Sequence, residues 1–253
     1  MRWMIAVAVA VLPAAAGVSA ARADETLALK LGYANLNPAG TFASSNVASA
    51  SRMDVDTLLG MGNSNGLTAE AVLQFGDHRL SLDLLPISFS GHGTLSQQVT
   101  YGGKSFPVGT AVDSSLKDTM YDIGYTYFFV NMDDLPSRLQ LGVEFTVKIN
   151  QVKGSMRGGG ITAESSATAP IPTIGLRGRV ALADFLGLVG RVGYLKVGGK
   201  GSYLDADGQL EFSPLPMVGI YGGYHYIKLK VDTSSSFTDL RFAGPYVGGF
   251  ARF

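Results

Sequence analysis

Cysteine is absent from this 253-residue chain, histidine occurs three times and tryptophan once. Without cysteine there can be no disulfide staples and no thiolate metal centre. Charged residues make up only 16 per cent, in equal numbers of each sign, which excludes a basic surface for nucleic acid. Mean hydropathy is +0.20, high for a water-soluble domain. Yet beyond the first two dozen residues no apolar run reaches the ~18 to 20 residues that a membrane-crossing helix requires. Such a chain must hide its apolar atoms in a core or show them to lipid. In lipid, only helices and closed barrels leave no backbone group unpaired. The choice lies between a large β-sandwich or soluble barrel and a membrane barrel.

What the chain has in excess is glycine, 33 of 253 residues, where roughly 7 per cent is usual. Its opening residues carry a charge at Arg2, an apolar stretch from Met4 to Val18 and the triplet Ala21-Arg22-Ala23. That pattern fits a secretory signal peptide over 1–23 with an A-x-A processing site and a mature start at Asp24. Cleavage after Ala20, at Val18-Ser19-Ala20, competes with it. A membrane anchor fits less well, because the run is short and holds Pro13 and Gly17. Without 1–23 the chain has 18 basic and 20 acidic residues, and 24–253 is expected to form one domain.

Ten stretches alternate apolar and polar residues with period two, the mark of a sheet with one apolar face. They span 26–36, 67–75, 79–90, 119–130, 138–149, 172–183, 186–197, 203–212, 217–230 and 240–253. The clearest is 138–149, where Leu139, Leu141, Val143, Phe145, Val147 and Ile149 oppose Gln140, Gly142, Glu144, Thr146 and Lys148. In the last stretch Phe242, Tyr246 and Phe250 share one phase and Phe253 the other, so a bulge or two mixed faces is expected there. Five connections are long or polar (37–66, 91–118, 150–171, 198–202, 232–239) and alternate with four short ones (76–78, 131–137, 184–185, 213–216). Alternating long loops and short turns with an even strand number describe a bacterial outer-membrane barrel. The expected fold is all-β: a closed antiparallel up-and-down transmembrane β-barrel of ten strands, with eight or twelve as alternatives. Residues 54–61 either extend the second strand or form an extra hairpin.

A soluble barrel has the same period with its apolar face inward. Glycine on the small faces, aromatic residues near strand ends and a terminal Phe253 favour the membrane version. The charges on the polar face, Lys30, Glu70, Asp83, Asp122, Glu144, Lys148, Arg177, Arg179, Arg191, Asp205, Asp207 and Glu211, would each cost up to ~2 to 4 kcal/mol against lipid and are therefore assigned to the lumen. There they either plug the barrel with ion pairs or line a polar path. The plug is favoured, because a ten-stranded barrel is little wider than an eight-stranded one filled by side chains.

The ending Gly248-Gly249-Phe250-Ala251-Arg252-Phe253 resembles the terminal strand of Gram-negative outer-membrane barrels. With the signal peptide, it makes the mature chain similar to the small OmpW- and OmpX-type barrels, although Ala251 stands where an aromatic is common. The resemblance implies a monomer in outer-membrane lipid and a Phe253 read by the barrel-assembly machinery. It also implies either a narrow pore for small or hydrophobic compounds or no cargo.

Signals for catalysis are sparse. His78 belongs to a solvated turn, and His225 to the lumen hydrogen-bond network. His92 lies near Ser88 and Ser90, but no spacing joins them to an orienting acid as nucleophilic catalysis requires. Asp205-Ala206-Asp207-Gly208 lacks the rest of a calcium loop, and Gly158-Gly159-Gly160 lacks the Lys and Ser/Thr of a phosphate loop and is expected to be a flexible loop tip. No enzyme activity, cofactor or metal is expected. The functions in view are a narrow or closed pore for small solutes or a structural barrel; then a surface-interaction or adhesion barrel; and last a lipid-modifying enzyme.

Overall fold

The computed structural model describes residues 27–43, 53–55, 58–132, 138–215, 217–233 and 236–253. The expected leader, both candidate cleavage sites and Asp24 lie outside these residues, as does most of the 131–137 turn.

Ten strands form the wall: β1 (Leu27–Ala43), β3 (Ser64–Phe75), β4 (His78–Thr94), β7 (Ala111–Met132), β8 (Leu139–Gly158), β9 (Ile161–Ala183), β10 (Leu186–Val197), β11 (Gly201–Leu215), β12 (Val218–Thr233) and β13 (Ser236–Arg252). Each pairs antiparallel with the wall strand before and after it, and β13 pairs back on β1 from Ala28↔Arg252 to Ala43↔Phe237. The sheet is thereby closed and no edge is left to aggregate. Three short strands, β2 (Met53–Asp54), β5 (Val99–Tyr101) and β6 (Lys104–Phe106), belong to the connections at one end, here called the mouth. The connections after Phe75, Met132, Ala183 and Leu215, here called the turns, and the two ends of the described chain lie at the opposite end.

Over the half of the wall nearest the turns, the expected alternation sets the faces. Leu27, Leu29, Leu31 and Tyr33 of β1 and Tyr121, Ile123, Tyr125 and Tyr127 of β7 point outward and are exposed. So are Phe145 and Val147 of β8 and Ile174 and Leu176 of β9. Lys30, Asp122, Glu144, Thr146, Lys148 and Arg177, on the alternate positions, are buried inside. An apolar belt around a polar interior suits a wall that meets hydrocarbon. Lumen glycines make room for large side chains. Gly32 and Gly248 are register partners, and Tyr221, opposite Gly248, lies across both. A Cβ on Gly32 would stand 2.5 Å from the Tyr221 hydroxyl.

Toward the mouth the faces invert. Inward positions become apolar and buried: Leu36 of β1, Ile87 and Phe89 of β4, Val112 of β7, Met156 of β8, Ile227 of β12, and Leu240 and Phe242 of β13. Outward positions become polar: Ser88, Ser90 and His92 of β4, Asp113, Ser115 and Lys117 of β7, Lys153 and Arg157 of β8. A membrane barrel thus continues into a wall organised like a soluble one. For the last strand the inversion excludes the bulge and leaves the two mixed faces. Neither pairing of β13 shifts register, and Phe242 and Phe250 are buried in the lumen while Phe253 points out.

The inversion also explains why the long connections were overestimated. β9 has 23 residues, about 75 Å of strand at ~3.3 Å per residue, where crossing a bilayer takes ~9 to 11. Of 150–171, 20 of 22 residues are therefore wall, and of 91–118, 12 of 28. Gly158 pairs with Ile161, and Gly159 and Gly160 at φ 57° and 76° make the two-residue turn between them. The glycine triplet is the tip of a tight hairpin, because a type I′ turn needs positive φ at both central residues. In the 54–61 stretch, Met53 and Asp54 pair with Phe42 and Thr41 of β1, and Met61 bridges to Gly91. The stretch folds into the mouth and adds no wall hairpin.

Candidate functional site

Two layers fill the lumen. The layer nearer the turns is ionic. Lys30, Glu70, Asp83, Asp122 and Lys148 are successive register partners on β1, β3, β4, β7 and β8, and Arg177, Arg191, Asp207 and His225 continue the pattern on β9 to β12. Period-two strands in register necessarily stack such residues into rows. Contacts across the lumen tie the rows together. Lys148 bonds both Asp122, its neighbour on β7, and Asp205 from β11. Lys30 donates to Glu211 of β11 at 3.0 Å, and Arg177 donates to Glu144 at 3.0 Å. Glu144 is also reached by Arg191 at 3.9 Å, and Arg179 lies 3.5 Å from Glu211. The Tyr246 hydroxyl donates to Asp207 at 2.8 Å, and His225 Nε2 faces Asp205 at 2.8 Å.

All twelve charges assigned from the sequence therefore lie in the lumen. Arg177 meets Glu144 of the adjacent β8, as strand proximity suggests, whereas Lys148 serves Asp122 of the adjacent β7 and Asp205 across the lumen. Asp83 joins the layer without an ion pair, and its Oδ2 has no hydrogen-bond partner among the described residues. The sequence reading missed Arg79, which bonds Glu70 at 2.7 Å, and Arg252, which bonds Glu211 at 2.5 Å. Both sit at strand ends, where alternation gives little signal. A cavity of about 80 Å³, bordered by Glu70, Asp83, Asp122, Arg191 and His225, and another of about 20 Å³, bordered by Lys30, Arg79, Arg179 and Glu211, lie within this layer. The larger has room for water and for little else.

The layer nearer the mouth is apolar. Met53, Val55, Leu59 and Met61 from 53–61, with Leu95, Val99 and Phe106 from the β5–β6 connection, enter the barrel and pack on Leu36, Phe89, Val112 and Phe242. The seven inserted side chains are 0 to 6 per cent exposed. Phe89 and Phe242 stack at 5.3 Å across the lumen. Tyr101 lies edge-on to Phe42, and burial raises the pKa of its hydroxyl. The sequence reading missed this layer altogether.

Neither weighed motif assembles a metal or phosphate centre. Asp205 and Asp207 share the inner face of β11, and no group of three or more His, Asp or Glu among the described residues could hold a metal. His78, read as a solvated turn residue, stands on the outer face with its Nδ1 2.8 Å from the Tyr125 hydroxyl. It belongs to an aromatic cluster with Phe75 and Tyr127. His92 Nδ1 lies 2.7 Å from Asp113 on the outer wall, with both side chains about 70 per cent exposed. The nearby Ser115 hydroxyl is engaged with Ser155 at 2.8 Å.

The closing seam gives one expected result. Phe253 N–H donates to Leu27 O at 2.8 Å, and Leu27 N–H returns a bond to Phe253 O at 3.1 Å. Deleting Phe253 removes both bonds and a belt aromatic that is 61 per cent exposed. The folded, heat-modifiable gel band should fall severalfold while export is unchanged; equal folded yield would contradict the role given to this seam.

No protein-family model matches the chain, and no curated protein matches it in sequence. Among solved structures, the outer-membrane protease OmpT of Escherichia coli aligns with 93 per cent of this chain and 99 per cent of its own, at a TM-score of 0.61 and 8 per cent identity. Ail, the attachment invasion locus protein of Yersinia pestis, aligns over 90 and 99 per cent at a TM-score of 0.41 and 10 per cent identity. Neisserial surface protein A aligns over 92 and 100 per cent at a TM-score of 0.38 and 13 per cent identity. At 8 per cent identity the likeness to OmpT is one of fold, and the fold of this chain is the closed antiparallel outer-membrane β-barrel.

Proposed function

We propose that this protein is a monomeric, non-catalytic outer-membrane barrel with a closed lumen, which holds a tall polar wall at the cell surface. It is exported behind the 1–23 leader and inserted by the barrel-assembly machinery, with its turns in the periplasm and its mouth outside. The observation that carries this reading is the double closure. A solute would have to displace both the seven inserted apolar side chains and the ion-paired layer beneath them. The narrower likeness to OmpW- and OmpX-type barrels rests on the segment ending in Phe253. The exposed His92–Asp113 pair stands on the outer wall, apart from the lumen, and the nearby Ser115 hydroxyl is engaged with Ser155. Conductance of the refolded mature chain in planar bilayers tests the proposal. Silence is expected, and steady single-channel currents would contradict it.

A further inference from the structure

The outer face of the wall changes character over a few residues above the apolar belt. On β7 and β8 the belt ends at the register pair Tyr121↔Ile149; Thr119↔Gln151 follows, then Lys117↔Lys153. Both lysines are exposed and point outward, with no ion pair among the described residues. Their lateral neighbours are Ser88 on β4 and Ser166 on β9, so the row is serine, lysine, lysine, serine. Like charges directly opposite each other destabilise a sheet. The nearest outward acids are Glu164, beside Ser155 one row higher, and Asp113, which faces His92.

A second basic patch lies on β10 to β13 at the same boundary. Lys196 follows Tyr194, and Lys228 and Lys230 follow Tyr226, all outward and exposed. Lys228 is the register partner of Arg241, a second like-charge pair, and Asp239 lies 3.8 Å from Lys228. Lys228, Lys230 and Arg241 flank Asp239, and Asp232 follows Lys230 on the same face, so four bases of this patch stand against two acids.

From these rows we infer that the two patches bind the anionic phosphate groups of the lipid in which the barrel sits, an inference that rests on the membrane reading above. Lys117 is four residues beyond Tyr121, about 10 Å in height for a strand tilted by ~40°. A lysine stem reaching back toward the belt brings its ammonium into the headgroup layer, which extends ~5 to 7 Å beyond the hydrocarbon. The patches are continuous with the lipid-facing belt, and their charge is opposite to that of phosphate. Anionic headgroups thus relieve the repulsion that the sheet alone leaves uncompensated.

The test uses the refolded mature chain in phosphatidylcholine vesicles, with and without added phosphatidylglycerol. Wild type should unfold less readily in urea when the anionic lipid is present, and the gain should fade with added salt. Lys117→Gln together with Lys153→Gln should reduce that gain roughly tenfold in the unfolding equilibrium while leaving stability in phosphatidylcholine alone unchanged or improved. Lys104→Gln, in the connection at the mouth, should keep the full gain. An equal gain in wild type and the double variant would overturn the inference, as would a gain reproduced by inorganic phosphate in phosphatidylcholine vesicles. Failure to fold into either vesicle would instead count against the membrane reading.

Discussion

Replacing Lys148 with Met should destabilise the folded barrel by about 3–5 kcal/mol, because it leaves two buried carboxylates, Asp122 and Asp205, without their shared cation. Lys148 is almost wholly buried, so water cannot compensate. Urea unfolding of the refolded chain in vesicles measures the change. Lys200→Met, on the exposed turn between β10 and β11, is expected to stay within ~0.5 kcal/mol of wild type. Adding Asp205→Asn to Lys148→Met should recover part of the loss, since one of the stranded charges is then removed. If Lys148→Met and Lys200→Met behave alike, the ionic layer does not hold the barrel together.

Excising 96–108 and rejoining the chain with a short glycine-serine turn should strip Val99 and Phe106, two of the seven inserted side chains, from the apolar plug without opening a pore. The wall is spared, because β4 and β7 still meet at Thr94↔Ala111 and Leu95 N–H still donates to Thr110 O at 3.0 Å. Loss of buried Val99 and Phe106 should lower stability by roughly 3–6 kcal/mol. Conductance should nevertheless stay silent, since the ion-paired layer lies below in series. Currents should appear only when Arg177→Ala and Glu144→Ala are added, which removes the pair bonded at 3.0 Å and widens the cavity beside it, and the remaining inserted residues Met53, Val55, Leu59, Met61 and Leu95 are replaced by serine. Steady currents from the excision alone would show that the ionic layer is no barrier.

The half of the barrel nearest the turns was legible in the sequence because one rule governs it. Residues such as Leu139 to Ile149 meet lipid on one side and a polar lumen on the other, so period-two alternation survives and gives both strand and face. The mouth half was not legible, because the apolar phase changes parity along a single strand. On β4 it passes from Leu80, Leu82 and Leu84 outside to Ile87 and Phe89 inside. On β1 it passes from Tyr33 to Leu36. A fixed-phase template reads the polar outward positions beyond that point as loop. The lumen charges could be assigned to a face for the same reason that the lower strands could. The adjacent-strand pair of Glu144 and Arg177 could also be read, but the cross-lumen pairs could not, because Lys30 meets Glu211 and Lys148 meets Asp205 across the barrel, and cross-lumen distances depend on closure and stagger. The apolar plug had no local signal: Leu59, Leu95 and Phe106 sit in stretches without strand periodicity.

The central claim is the orientation of the wall, with apolar side chains toward lipid and charges inside. The absence of native cysteine permits a direct measurement, with single cysteines along β8 carrying spin labels and the chain refolded in vesicles. Labels at 141, 143, 145 and 147 should be readily relaxed by lipid-dissolved oxygen, and those at 140, 144, 146 and 148 should be shielded. Beyond Ile149 the outward labels at 153 and 155 should respond to a water-soluble nickel reagent instead. Alternation of the opposite phase, or none, would contradict the account.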